Sequence, residues 1–165
     1  MKRIATFIIV ITLLISACSA VKTPSESSAT FYYLHKEYVY GSDSSVIVPE
    51  AKATSGSRMS LTYLIALYAM GPTAEEHVMP YPAETKISCT ELDNGDVILS
   101  LSDSASSLSD SEFTLASTCL ALTCFDAVGC SRVTVKLGDR SITMGRGSIV
   151  LKDNHTNYLS PEETP

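Results

Sequence analysis

The sequence predicts an α+β domain in which two helices pack on one face of a small mixed or antiparallel sheet. Three observations carry that expectation. Leu61–Met70 and Phe113–Ala127 repeat apolar residues at helical spacing. Short runs rich in β-branched and aromatic residues flank both stretches. Asn94-Gly95 and Gly138-Asp139 stand between pairs of such runs, where tight hairpins need them. A chain of 165 residues fits one domain, and a domain of about 150 residues buries roughly 68–70% of its unfolded surface.

The first residues read as a targeting signal. Lys2 and Arg3 precede an uncharged apolar run, Ile4–Ala17. Its length, about 14 residues, suits a signal-peptide core; a spanning helix needs about 20. Leu14-Ile15-Ser16-Ala17-Cys18 places small residues just before a cysteine. That pattern resembles the lipobox of bacterial lipoproteins. The resemblance implies cleavage before Cys18, a lipid on its sulfur and more than one acyl chain, palmitate among them. Stable anchoring takes more than one chain. The expected organisation is a signal peptide over 1–17, a lipid-anchored flexible tether over 18–29, a domain over 30–152 and a polar tail over 153–165. The expected location is the extracytoplasmic face of a cell membrane. Loss of Lys2 and Arg3 would take the formal charge from −6 to −8. An acidic chain of this kind lacks the cationic patch that nucleic acid or a polybasic membrane contact requires.

After the Ser/Pro-rich tether, Thr30–Val39 reads as a strand, with Phe31 and Tyr33 on one face and Tyr32 and Leu34 on the other. Gly41–Ser44 is turn chemistry. Ser45–Pro49 is a short return strand, at an edge because Pro49 donates no backbone bond. Ser57 is a candidate N-cap for the first helix. Leu61, Leu64, Ile65 and Tyr68 form that helix's main apolar row, and Tyr63, Leu67 and Met70 a second row expected to widen the buried arc. Gly71-Pro72 stops it.

Thr73–Glu84 carries Pro80 and Pro82 and reads as irregular. Lys86–Leu92 and Asp96–Ser102 flank Asn94-Gly95. A two-residue turn there would mix the faces. A one-residue bulge between Cys89 and Leu92 is therefore expected to bring Ile87 and Cys89 onto the face of Leu99 and Leu101. Ser109–Glu112 has capping-box spacing. The helix it opens carries two stripes, Phe113/Ala116/Leu120/Cys124 and Leu115/Cys119/Leu122, and Gly129 ends it. Val133, Val135 and Leu137 alternate inward on the next strand. Gly138-Asp139 turns it back as a type II′ hairpin, and Ile149–Leu151 is a last apolar patch.

Taken in order, these features resemble the GerMN domain of envelope lipoproteins linked to sporulation and spore germination. The matching residues are Leu64-Ile65-Ala66-Leu67 running into Gly71-Pro72-Thr73, then Pro80, Pro82 and Thr85. They continue through the Asn94-Gly95 hairpin, the Ser/Asp loop after Leu101, Leu115–Leu122, Val128-Gly129 and Val133-Thr134-Val135 up to Gly138-Asp139. Coverage runs from about Thr30 to Thr143. The resemblance implies a fold similar to ring-building-motif domains, which pack laterally in sporulation assemblies. It implies no catalytic residues. The best-known sporulation member carries two such domains in tandem, and this chain has room for one.

The reactive residues nominate no chemistry. Cys89, Cys119, Cys124 and Cys130 allow two disulfides in three connectivities, but Cys119 and Cys124 are separated by about 7.5 Å of helix rise, too far for easy bridging. Reduced thiols acting as small apolar side chains are the favoured reading. The cysteine spacing lacks a zinc pattern, and His35, His77 and His155 fall in no catalytic or metal motif. Asp93, Asp96, Asp103 and Asp110 lack the spacing of a calcium loop. No cofactor motif is present. The expected function is a non-enzymatic, lipid-anchored envelope module that binds proteins or copies of itself, with Tyr32, Leu34 and Tyr38 as candidate exposed apolar residues. The alternative is a small-solute or glycan-binding lipoprotein, with Tyr81 stacking on a ligand near Thr73–Glu84.

Overall fold

The computed structural model describes residues 27–37, 45–54, 59–152 and 155–157, with side chains accounted for through Ile149. Cys18, the signal-type segment, most of the tether, Ser57 and Tyr38 lie outside the described residues. The element order is β1 (Ser27–His35), β2 (Ile47–Thr54), α1 (Leu61–Ala69), β3 (His77–Val78), β4 (Ile87–Glu91) and β5 (Val97–Leu101). A 3-10 turn (Asp103–Ala105), α2 (Asp110–Ala127), β6 (Arg132–Leu137), β7 (Arg140–Gly145), β8 (Val150–Lys152) and β9 (His155–Asn157) follow. β1 begins inside the stretch expected as tether, and β9 lies inside the expected tail.

The α+β class holds. The strands are divided over separate sheets, which periodicity alone does not reveal. β2-β1-β3 is antiparallel, β4-β5-β6-β7 is mixed with β5 parallel to β6, and β8 pairs with β9. The two stripes of α2 explain the division. Phe113, Ala116, Leu120 and Cys124 join the main core with Val97, Leu99, Val133 and Val135. Leu115, Cys119 and Leu122 join a second cluster with Leu34, Val46 and Ile47. α2 is therefore buried on two sides, against β6 of one sheet and β1 of the other.

The helix ends follow the sequence closely. Ser109 accepts from the Glu112 amide while the Glu112 carboxylate accepts from the Ser109 amide at 2.8 Å, the complete capping box. At the other end the Arg146 guanidinium donates to the Phe125 carbonyl at 2.7 Å, placing a cation at the negative end of the helix dipole. The cap of α1 is Ser60, whose hydroxyl accepts from the Tyr63 amide; the Ser57 expectation was three residues early, because Met59 and Ser60 are still non-helical.

The Asn94-Gly95 hairpin corrects a second detail. Ile87 faces Leu101 and Cys89 faces Leu99, the pairing the apolar pattern demanded. The extra residue sits in the turn itself and not between Cys89 and Leu92. The Gly95 amide donates to the Leu92 carbonyl, the Leu92 amide to the Asp96 carbonyl, and Gly95 takes φ +78°. This is a three-residue loop with a left-handed glycine, which shifts register by the residue that the faces required.

β1 is flanked by β2 along its length, but β3 reaches only Leu34 and His35 on the other side. The helices complete the edge. The Tyr32 amide donates to Thr123 Oγ1 at 3.0 Å, and the Tyr32 carbonyl accepts from the Tyr68 hydroxyl at 2.8 Å. Both Tyr32 backbone groups thus point away from β2. Its partner Pro49 then occupies a non-hydrogen-bonded position on an edge strand, where a missing N–H forfeits no ladder bond.

Candidate functional site

The densest polar cluster is built on Glu50. The register of β2 puts Glu50 opposite Phe31, hence on the inner face, and Lys52 follows on the same face. The loop that leaves α1 at Gly71, with φ +81°, folds over this carboxylate. Glu50 Oε1 accepts from the Thr73 amide at 2.8 Å and the Thr73 hydroxyl at 2.7 Å. Oε2 accepts from the Ala74 amide at 3.3 Å and lies 2.8 Å from His77 Nδ1. Lys52 Nζ lies 3.8 Å from Oε1, donates to the Gly71 carbonyl and sits over the rings of Phe31 and Tyr33.

Burial by itself would raise the Glu50 pKa. The hydrogen bonds from Thr73, His77 and Ala74 outweigh it and hold the carboxyl down at about 2. Burial lowers the Lys52 pKa, and the nearby Glu50 charge works against that shift. A carboxylate with its lone pairs committed and so low a pKa is a weak base. Its chemistry is that of a clasp: it ties the Gly71–His77 loop to β2.

The aromatic residues behind the clasp are core. Tyr33 stacks on Tyr68 with ring centroids 5.0 Å apart, and Tyr81 tilts against Tyr68 at 6.1 Å. Tyr81 is 6% exposed, so it offers no stacking platform to a ligand, contrary to expectation. Its neighbour Pro80 is buried too, and β3 inside the same segment is tied to β1. Leu34 is buried, and the half-buried Tyr32 packs on the same cluster and donates its hydroxyl to Asp126 at 2.5 Å. Neither is the exposed apolar surface expected of it, because the second stripe of α2 and Ile149 pack there.

The four thiols considered for bridging are free. Burial pushes Cys119, Cys124 and Cys130 up from the ordinary thiol range. Among the described residues, no three His, Cys, Asp or Glu side chains converge to hold a metal ion. His35 and His77 are cross-strand partners. A polar cleft of about 180 Å³ opens where Ser27, Thr30 and Thr54 meet Met59 and Asp126, away from the Thr73–Glu84 segment.

The surfaces are more telling than the clefts. Alternation sends Ser88, Thr90, Ile98, Ser100, Thr134 and Lys136 to the outer face of the four-stranded sheet, away from the helices. Ser141 and Thr143 extend this face on β7. The Thr134 and Thr143 hydroxyls bond across strands at 2.9 Å, and Arg132 pairs with Asp96 at 3.5 Å at the end of the face. The result is a face of mostly short hydroxyl side chains, with Ile98 and Lys136 among them, that runs from edge strand β4 to edge strand β7. The second surface is on α1. Leu61, Leu64, Ile65 and Tyr68 are buried, but Tyr63 is 37% and Met70 80% exposed. Of the row expected to widen the buried arc, Leu67 packs against the main core, whereas Tyr63 and Met70 face outward. Its apolar character could not say which side neighbours cover.

Comparison with solved structures agrees with this architecture. The first GerMN domain of the sporulation protein GerM from Bacillus subtilis superposes with a TM-score of 0.52 at 13% identity, over 70% of this chain and 86% of that one. The tandem GerMN domains of the same protein match at a TM-score of 0.49 and 12% identity, over 72% of this chain and 41% of that one. No family model and no curated protein sequence matches the chain. The likeness is one of fold: the domain is GerMN-like.

Proposed function

We propose that this GerMN-like domain is tied by lipid on Cys18 to the extracytoplasmic face of a cell membrane and acts by binding other proteins or copies of itself. The observation that carries the reading is the outer face of the four-stranded sheet. It carries Ser88, Thr90, Ser100, Thr134, Ser141 and Thr143 beside Ile98 and Lys136, with β4 and β7 as edge strands. Short hydroxyl side chains lose little rotamer freedom on contact and hydrogen-bond to a broad partner surface. Edge strands add unpaired backbone groups for the same partner. Glu50 is engaged in a loop clasp, and Cys119, Cys124 and Cys130 are buried in the core. Among the described residues no helix is long and apolar enough to cross a membrane. The likeness in fold to a domain of a sporulation protein supports an envelope assembly of the sporulation or germination type.

In-cell crosslinking followed by recovery of the membrane-bound protein tests this. The expected result is a defined assembly that a Ser100→Arg/Thr134→Arg variant loses while staying folded and membrane-bound. A monomer that crosslinks to no protein and binds a muropeptide or other solute would overturn it.

A further inference from the structure

α1 carries no charged residue on any face, and its mean hydropathy is that of a buried helix although half of it faces out. Around the helix, Leu61, Leu64, Ile65 and Tyr68 occupy the inner arc. Thr62, Ala66, Ala69 and Met70 are exposed on the outer arc, Leu67 is half-buried at one margin, and Tyr63 is 37% exposed. A helix that is apolar all round is ordinarily enclosed by protein or lipid. Exposed apolar surface of this kind marks a contact.

The place where β1 begins says which contact. Ser27 pairs with Thr54, and Met59, just ahead of the Ser60 cap, lines the same cleft as Ser27. The segment from Cys18 therefore enters the domain beside the start of α1. The chain from Cys18 to Ser27 spans at most about 30 Å when fully extended. The nine residues of α1 extend about 14 Å from that point. An anchored domain thus holds the whole helix within reach of the bilayer. Tyrosine at the flank and an uncharged apolar face are what the lipid interface accepts, and an acidic chain gains nothing from a charged headgroup contact.

We propose that the outer arc of α1, centred on Ala66, Ala69 and Met70, rests on the bilayer to which Cys18 is tied, so that the hydroxyl face of the four-stranded sheet is turned towards partners. The inference rests on the anchored reading above.

The chain has no tryptophan, so one placed at Met70 reports its own surroundings. The lipid-modified Met70→Trp protein is reconstituted into phosphatidylcholine vesicles with brominated acyl chains. The expected result is loss of most of the tryptophan emission. Lys136→Trp, on the outer sheet face, keeps its emission. Adding Ala66→Glu to Met70→Trp restores emission while the protein still floats with the vesicles. Emission at position 70 that is unquenched in protein that floats overturns the inference and leaves the anchor standing. A chain without lipid on Cys18 by mass spectrometry, which fails to float, overturns both. A blue-shifted emission without vesicles, in a protein sizing as a dimer, assigns the arc to a second copy and overturns the inference.

Discussion

The Tyr68 hydroxyl donates to the Tyr32 carbonyl at 2.8 Å, so a residue of α1 closes a stretch of the β1 edge that β3 does not reach. Tyr68→Phe leaves that carbonyl buried and unmet. The expected cost is about 1–3 kcal/mol, read as a lower urea midpoint with an unchanged slope. Tyr33→Phe is the contrast. Among the described residues the buried Tyr33 hydroxyl has no hydrogen-bond partner, so its removal is expected to be neutral or stabilising.

Glu50 makes the domain acid-sensitive. Its carboxyl is held at about 2, below the ordinary value near 4.5. The unfolded chain therefore takes up protons first as pH falls. The contribution is fully present above about pH 4.5 and is lost progressively down to about 2. Glu112, drawn down by its bonds to Ser109, titrates in the same sense. The difference between wild type and Glu50→Gln isolates the clasp: the variant is expected to show a shallower loss of stability over that window. Glu50→Ala, which strands the Thr73 amide and Lys52, is expected to cost about 3 kcal/mol at neutral pH.

The capping box at α2 gives a local test. Ser109→Ala removes the acceptor for the Glu112 amide and is expected to cost about 1 kcal/mol, measured by chemical denaturation. Arg146→Ala at the far end exposes the Phe125 carbonyl and is expected to cost about the same.

Thiol labelling orders the cysteines by burial. Cys119 and Cys124 are buried and hard to ionise, whereas Cys89 is half-exposed beside Thr62. An alkylating reagent followed by peptide mass spectrometry is expected to mark Cys89 first in the native protein. Cys119 and Cys124 react once denaturant is added.

The sequence showed most where one residue's local chemistry decides the outcome. The capping box at Ser109, the stop at Gly71 and the turn at Gly138, whose φ is +56°, all stand where spacing put them. Both stripes of α2 were legible, and each proved to belong to its own core cluster. What failed needed knowledge of neighbours. Met70 and Tyr63 look like core from composition but face out, and Tyr81 looks like a platform but is enclosed. The role of Glu50 was invisible because its donors, Thr73, Ala74 and His77, come from a loop more than twenty positions away. A lone glutamate in a short strand gives no sign of them. The division into separate sheets was hidden for the same reason: it depends on α2 coming between them.

The bond from Tyr32 to Thr123 joins positions 91 apart in the chain. During synthesis the first strand therefore waits, its open side unmet, until most of the polypeptide has emerged. Early segments lack the contacts that would fix them, which slows premature collapse. Under the anchored reading proposed above this delay suits export, because secretion threads extended polypeptide. Folding then completes once the last helix arrives to seal the strand made first.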